Sequence, residues 1–292
     1  MKLFIRLLAL CLLSAHGLST TSVLITGAGG KTGRLVFEKL NKMDGYTPIG
    51  MVRSPKKMKM LKKMGAGDDQ VVMGDIFDAD ALQGAMKGCE ALIVVTSAVP
   101  VLLKRSLFKM MGKKLLGKEV GRPQFKWSAK DGFPEKVDFE GQLLQFKAAK
   151  AAGVEKVIVV SSMGGTQDDN FLNSIGKKED GSEGDILKWK RKAEEELIVS
   201  GMKYAIIHPG GLTDKPAKSR KLVIDVDDKL LERKKRSIYR GDVATLCLAA
   251  LKAEESFALD VISEEVEDGD EGLQSAALAL GEFLDKGVSY KY

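Results

Sequence analysis

The sequence predicts an α/β fold: a doubly wound, mostly parallel sheet with helices on both faces and a small C-terminal portion beside it. Three observations predict it. Short apolar runs at Val23–Thr26, Ala91–Val95 and Lys156–Val160 have the length and β-branched content of strands buried on both sides. Segments of helical period fill the intervals between such runs, as βαβ units require. The first strand runs straight into Gly27-Ala28-Gly29-Gly30-Lys31-Thr32-Gly33, a glycine-punctuated turn that opens an amphipathic helix.

That turn carries the first functional expectation. Gly27 lets the chain leave the strand sharply, Gly30 lets backbone amides approach a pyrophosphate, and Gly33 lets the helix pack on the sheet. Amides and the positive end of the helix then face an anion. Gly27, Ala28, Gly30, Lys31, Thr32 and Gly33 are therefore expected to bind a dinucleotide, and the sheet is expected to be of Rossmann type. By itself a glycine triplet is only a tight turn; the strand before it and the helix after it give it this meaning.

Composition sets the frame. The 292 residues are 44% hydrophobic and 29% charged, as in a soluble chain with a sizeable core. A net charge of +6 is compatible with nucleic acid, but aromatic residues make up only 6% and no nucleic-acid motif is present. The excess is read as solvation and attraction for an anionic cofactor, with no nucleic-acid partner. Cys11, Cys89 and Cys247 show neither metal-ligand spacing nor a disulfide framework.

Residues 1–18 read as a cleavable leader. Lys2 and Arg6 flank an apolar run from Leu3 to Leu13, and Ala15-His16-Gly17 supplies the small residues a signal peptidase prefers. The alternative is a retained anchor or a buried first strand. A leader of this kind implies entry to the secretory pathway, with the endoplasmic reticulum lumen as one destination. The dinucleotide-binding domain is expected over residues 22–262, followed by an acidic loop and a terminal helix over 263–292.

Along the chain, a helix stops near Asp44-Gly45, and Tyr46–Val52 forms the second strand. It ends in Arg53-Ser54-Pro55, where an NAD-preferring domain usually places an acidic residue for the ribose hydroxyls. Arg53 offers a planar fork of donors to a 2′-phosphate, and Ser54 a hydroxyl, so NADP(H) is expected rather than NAD. Lys56, Lys57, Lys59, Lys62 and Lys63 read as a solvated helix face. After the third strand, Gln70–Gly74, Asp75 and Ile76 are placed against the adenine and Asp78 as a helix cap. Past the fourth strand, Thr96, Ser97 and Ala98 leave the carboxyl edge of the sheet, where ligands bind in this fold class.

An insertion of about residues 102–127 follows. Its cations, Lys104, Arg105, Lys109, Lys113, Lys114, Lys118 and Arg122, interleave with Leu, Phe and Met. Residues 102–122 suit a lid over the cleft, an amphipathic helix for an anionic membrane or protein partner, or a solvated surface helix. Beyond it come a helix over 137–152, a strand delivering Ser161-Ser162-Met163-Gly164-Gly165, and a helix carrying Trp189-Lys190-Arg191-Lys192-Ala193-Glu194. The sixth strand, Tyr204–Ile207, ends in His208-Pro209-Gly210-Gly211. Helices to about Leu251 and over 273–284, with a strand at Phe257–Ile262 between them, complete the chain.

Taken together, Thr26-Gly27-Ala28, Val52-Arg53-Ser54, Gly74-Asp75, Thr96 to Pro100, Ser161 to Gly165, Trp189 to Glu194 and Pro209-Gly210-Gly211 resemble the atypical short-chain dehydrogenase/reductase superfamily. The likeness is greatest to its Tic62-like, NmrA-like plant and algal subgroup. It implies an NAD(P)-binding fold, cofactor contacts from Lys190, Pro209 and Gly210, and a plastid location, which together with the leader means a plastid reached through the endoplasmic reticulum. Reductases of the superfamily pair a substrate-holding Ser with a Tyr and a Lys four residues on. Ser162 or Ser161 matches the Ser and Lys190 the Lys, but Ile186 stands where the Tyr belongs. Proton donation then falls to water, Ser162 or His208, the latter alternatively lining the nicotinamide pocket or packing.

Two functions are expected to compete. One is an NADP(H)-dependent oxidoreductase with Ser162, Lys190 and His208 as catalytic residues, acting on a small organic substrate of unspecified class. The other is a non-catalytic NADP(H) binder whose cofactor state governs association with a protein or membrane.

Overall fold

The computed structural model describes residues 20–117, 119–120, 123–214, 220–265 and 273–292. Residues 1–18, where a leader is expected, and the acidic segment 266–272 lie outside the described residues.

Twelve strands are present among the described residues: β1 (Thr21–Thr26), β2 (Tyr46–Val52), β3 (Val71–Met73), β4 (Ala91–Val94), β5 (Pro100–Leu102), β6 (Phe125–Trp127), β7 (Lys156–Val160), β8 (Lys203–Pro209), β9 (Gly211–Thr213), β10 (Arg220–Asp225), β11 (Ser237–Tyr239) and β12 (Phe257–Glu265). The helices are α1 (Gly33–Asn41), α2 (Pro55–Lys63), α3 (Ala79–Met86), α4 (Lys104–Leu115), α5 (Gly141–Ala151), α6 (Phe171–Ser174), α7 (Ile186–Val199), α8 (Arg240–Lys252) and α9 (Leu273–Leu284).

Eight strands form the main sheet in the order β10-β12-β8-β7-β4-β1-β2-β3. Every neighbouring pair is parallel except β10 with β12. The chain winds outward from β1 in both directions, so β1 and β4 flank the point where the strand order reverses. In open α/β sheets ligands bind there, beyond the carboxyl ends. Val23, Leu24, Ile25 and all of Ala91–Val94 are buried, as strands covered on both faces must be. Helices α1, α8 and α9 pack together on one face, and α3, α5 and α7 on the other.

Where the sequence suggested one helix over 137–152, the structure divides it. Glu135–Glu140 is a π-helical segment leading into α5. Such wide turns occur mostly as local bulges, often at functional sites. The antiparallel edge strand β10 and the short pairs β5–β6 and β9–β11 are additional to the strands expected from the sequence. Asp78 caps α3 as expected, its Oδ1 accepting from the Ala81 amide at 3.0 Å.

Candidate cofactor site

A cavity of about 730 Å³ runs along the carboxyl ends of β1 to β4, within the roughly 300–1,000 Å³ range of small-molecule sites. Its floor is the glycine turn. Gly27 has φ +72°, and a Cβ there would lie 2.7 Å from the Val95 carbonyl oxygen. The Gly30 amide donates to the Gly27 carbonyl at 2.8 Å, and a Cβ on Gly30 would meet nothing but that carbonyl. Gly30 therefore leaves bare backbone facing the cavity. A Cβ on Gly33 would overlap the Gly27 carbonyl, so only glycine lets α1 seat this closely. Ala28 and Thr32 are buried, and Lys31 is an exposed cation paired with Asp214, which also holds Arg240 at 2.6 Å. Of the six residues of the turn expected to contact a dinucleotide, Gly27 and Gly30 line the cavity, while the other four are absent from its wall.

The end of β2 brings Arg53 and Ser54 to one end of the cavity, with Lys57 from the first turn of α2 beside them. The Lys57 stem passes over Gly29, where a Cβ would lie 3.0 Å from it. Periodicity had assigned Lys57 to a solvated face; only the packing of α2 against the turn separates it from the lysines around it. Arg53 lies 3.8 Å from Asp75, with side chains 68% and 44% exposed. A pair that wet holds either partner weakly, so the guanidinium can be shared with an incoming anion.

After β3, Asp75 accepts from the Phe77 amide at 3.1 Å. Ile76 and Phe77 form an apolar wall behind it. After β4, Thr96, Ser97 and Ala98 line the cavity, as expected, with Val95 and Val99. This stretch is anchored from below. Gln145 donates to Thr96 Oγ1 at 3.2 Å while accepting from Thr26 Oγ1 at 2.6 Å. The Ala98 amide donates to Asp138 Oδ2 at 3.0 Å. Ser128, Ala129, Gly132 and Val137 close the far wall. Sequence reading did not single these out, because they follow an insertion with no periodic pattern. Among the described side chains of α4 none lines the cavity, so they do not form a lid over it.

Five expected site residues stand elsewhere. Lys190 is buried, its ammonium 2.7 Å from the wholly buried Asp138 Oδ1. It therefore reaches the cavity wall through Asp138 and Ala98 rather than lining it. Ser162 donates to the Met163 carbonyl at 3.1 Å and is not part of the wall. The alternative, Ser161, is buried and donates to Glu194. Pro209 is held inside the sheet by the pairing of β8 with β12. Gly210 donates to the Val261 carbonyl at 2.9 Å, and neither residue lines the cavity.

His208 is the clearest departure. It is fully buried, with Nε2 3.1 Å from Glu194 Oε2 and Nδ1 3.2 Å from Asp260 Oδ1. The Tyr290 ring packs edge-on at 4.6 Å, and Arg191 lies 3.1 Å from the same Glu194 oxygen. Burial alone would lower the imidazole pKa, but the Glu194 carboxylate and Asp260 outweigh it and lift the value to about 9. Buried between Glu194 and Asp260 and absent from the cavity wall, His208 is not positioned to pass a proton to a ligand in that cavity. It pins β8, α7, β12 and the C-terminal tail together. The stabilisation it gives is complete below the unfolded value of 6.5 and is lost as pH rises through about 9. The imidazole resonance of a chain lacking residues 1–19 is expected to titrate near pH 9, with melting temperature falling over the same interval. A midpoint near 6.5 would refute the pairing.

Among the described residues, the wall contains no tyrosine and no histidine. The arrangement fits a dinucleotide: a bare glycine cradle at the switch point, a cationic end and an apolar wall. A family profile described as NAD(P)H-binding matches residues 27–254. A chloroplastic protein of Arabidopsis thaliana, itself uncharacterised, is 42% identical over 247 residues, covering 83% of this chain and 70% of its own. Sanguinarine reductase of Eschscholzia californica is 39% identical over 242 residues, covering 80% and 85%. The chloroplastic protein TIC 62 of Arabidopsis thaliana is 28% identical over 248 residues, 79% of this chain but 33% of that protein. A short-chain dehydrogenase/reductase of Veillonella parvula, solved in complex with NADP, superposes with a TM-score of 0.56 at 15% identity, covering 86% and 98%. It shares the fold. The sheet order, the glycine cradle and these matches lead to one conclusion: the chain belongs to the NAD(P)H-binding family of atypical short-chain dehydrogenases/reductases, proteins of oxidoreductase type that hold a nicotinamide cofactor.

Proposed function

We propose that the protein is an NADP(H)-dependent reductase of a small organic substrate. One observation carries the preference for the phosphorylated cofactor: Arg53, Ser54 and Lys57 meet at the end of β2, which itself supplies no carboxylate for ribose hydroxyls, the Asp75 carboxylate 3.8 Å from Arg53 coming from the segment after β3. Asp75 is the nearby acid, and it lies on the adenine side, after β3. In this reading Gly27 and Gly30 receive the pyrophosphate, Arg53 and Lys57 the 2′-phosphate, and Ile76 and Phe77 cover the adenine. When bound, the cofactor supplies hydride chemistry. The chain's own part is to fix Thr96–Val99 beneath the reacting end, through Gln145, Asp138 and Lys190. The hydroxyls of Ser97 and Ser128, which line the cavity beside Thr96, are placed to relay a proton from solvent. The 39% identity to sanguinarine reductase supports a reductase, and the chloroplastic relatives support a plastid location.

Arg53→Asp tests this. Losing a charge-assisted contact and adding repulsion is expected to weaken NADPH roughly 10- to 100-fold by calorimetry, with NADH little changed. Equal losses for both cofactors would mean that Arg53 does not touch the 2′-phosphate. Oxidation of NADPH in the presence of quinones, aldehydes and enones reads out the reductase itself.

The second reading is a non-catalytic NADP(H) sensor. It is favoured by Ile186 in place of a tyrosine and by the sequestration of His208. Binding of NADPH without turnover of any such acceptor would select it.

A further inference from the structure

We propose that α4 is an interfacial anchor that docks the protein on an anionic lipid bilayer. Cofactor binding and this docking are separate claims. Helix α4 is inserted at the tip of a two-stranded ribbon, β5 with β6, paired Pro100 to Trp127 through Leu102 to Phe125. Three of its apolar side chains face solvent rather than the core: Phe108 is 73% exposed, Met111 67% and Leu115 89%. Their spacing, three then four residues, puts them on one face. Leu116, just past the helix, is also exposed. Around them stand the exposed cations Lys104, Arg105, Lys113 and Lys114, and no acidic residue occurs from Pro100 to Lys118.

The sign of that charge selects the occupant. Two copies meeting through α4 would bring like charges together, in chains that each carry a net +6. A neutral apolar groove would gain nothing from the lysines. A bilayer with anionic headgroups satisfies both halves of the pattern, taking Phe108, Met111 and Leu115 below the headgroups and the cations at their level. At twelve residues α4 cannot span a membrane, so it lies in the surface. Both feet of the ribbon reach the cofactor cavity: Val99 and Ser128 line it and are joined by the Ser128 amide donating to the Val99 carbonyl at 3.0 Å. Docking through α4 therefore sets the cavity mouth close to the lipid surface, within reach of substrates dissolved there.

The test uses the full chain with Phe108→Trp as a local reporter, mixed with vesicles of phosphatidylcholine alone or with one-third phosphatidylglycerol. A blue shift of the added tryptophan with the anionic vesicles only, reversed by high salt, is expected. Because the reporter sits on α4, binding through the leader does not mimic this result. In sedimentation with the same vesicles, Phe108→Ser/Met111→Ser/Leu115→Ser is expected to bind roughly 100-fold more weakly. Lys113→Glu/Lys114→Glu should lose roughly 30-fold or more. Both variants should retain the wild-type melting temperature and NADPH affinity, since neither touches core or cavity. No shift with anionic vesicles, an equal shift with neutral ones, or a concentration-dependent dimer broken by the triple variant would each overturn the proposal. Loss of NADPH affinity in wild type would count against the cofactor reading and leave this one standing.

Discussion

Lys190→Met is expected to destabilise the fold by about 3–5 kcal/mol, because it strands the Asp138 carboxylate in a site with no access to water. The wild-type pair costs desolvation of both ions, and the Ala98 amide helps Asp138 bear it. Removing one charge leaves the whole penalty of the other. The double variant Asp138→Asn/Lys190→Met removes both charges and should recover most of the loss, since an apolar or neutral replacement of a buried pair is often close to neutral. Urea unfolding of the two single variants and the double gives the coupling directly. Cofactor affinity supplies the second readout. In the double variant the Ala98 amide still has an acceptor in the carbonyl oxygen of the introduced side-chain amide, so Thr96–Val99 should keep its shape and NADPH should bind nearly as well as in wild type. A single Lys190→Met variant as stable as wild type would show that the two groups do not form the buried pair seen here.

Gly27→Ala should be almost as damaging, and for a reason that belongs to the backbone. The residue sits at φ +72°, and its new Cβ would press on the Val95 carbonyl at 2.7 Å. Left-handed strain and a clash with main chain that cannot rotate away together predict about 2–5 kcal/mol. NADPH affinity should fall by roughly tenfold or more, because the turn and Val95 are both walls of the cavity. Gly45 offers an internal comparison. It has φ +82° but nothing within 4 Å of a Cβ, so Gly45→Ala should show the strain alone, about 1–2 kcal/mol, with affinity unchanged. Equal losses at the two positions would mean that the Val95 contact relaxes at no cost.

These two cases also separate what was legible from what was not. Gly27, Gly30 and Gly33 could be assigned from spacing because a local turn dictates their roles. Asp75, Ile76 and Thr96 to Ala98 could be placed because residues just past a parallel strand must emerge at one edge of the sheet. Asp78 as a cap is likewise a matter of near neighbours. Lys190 is a candidate by its place on the helix, but its ion pair is not legible there, since its partner Asp138 lies 52 positions away on a π-helical segment. His208 looked available as an acid because β8 delivers it to the carboxyl edge. Its burial depends on α7, β12 and the C-terminal tail closing around it. Lys57 stood among four similar lysines, and only the seating of α2 on the glycine turn sets it apart.

By itself the amino-acid sequence determined the parallel strands of the main sheet, most of the helices between them and the glycine cradle, because each follows from local periodicity and backbone sterics. Tertiary structure alone decided which polar groups face the cavity and which are buried in ion pairs. That choice depends on partners distant in the chain and on water being excluded from Asp138, Lys190, Glu194 and His208 once the helices close over the sheet.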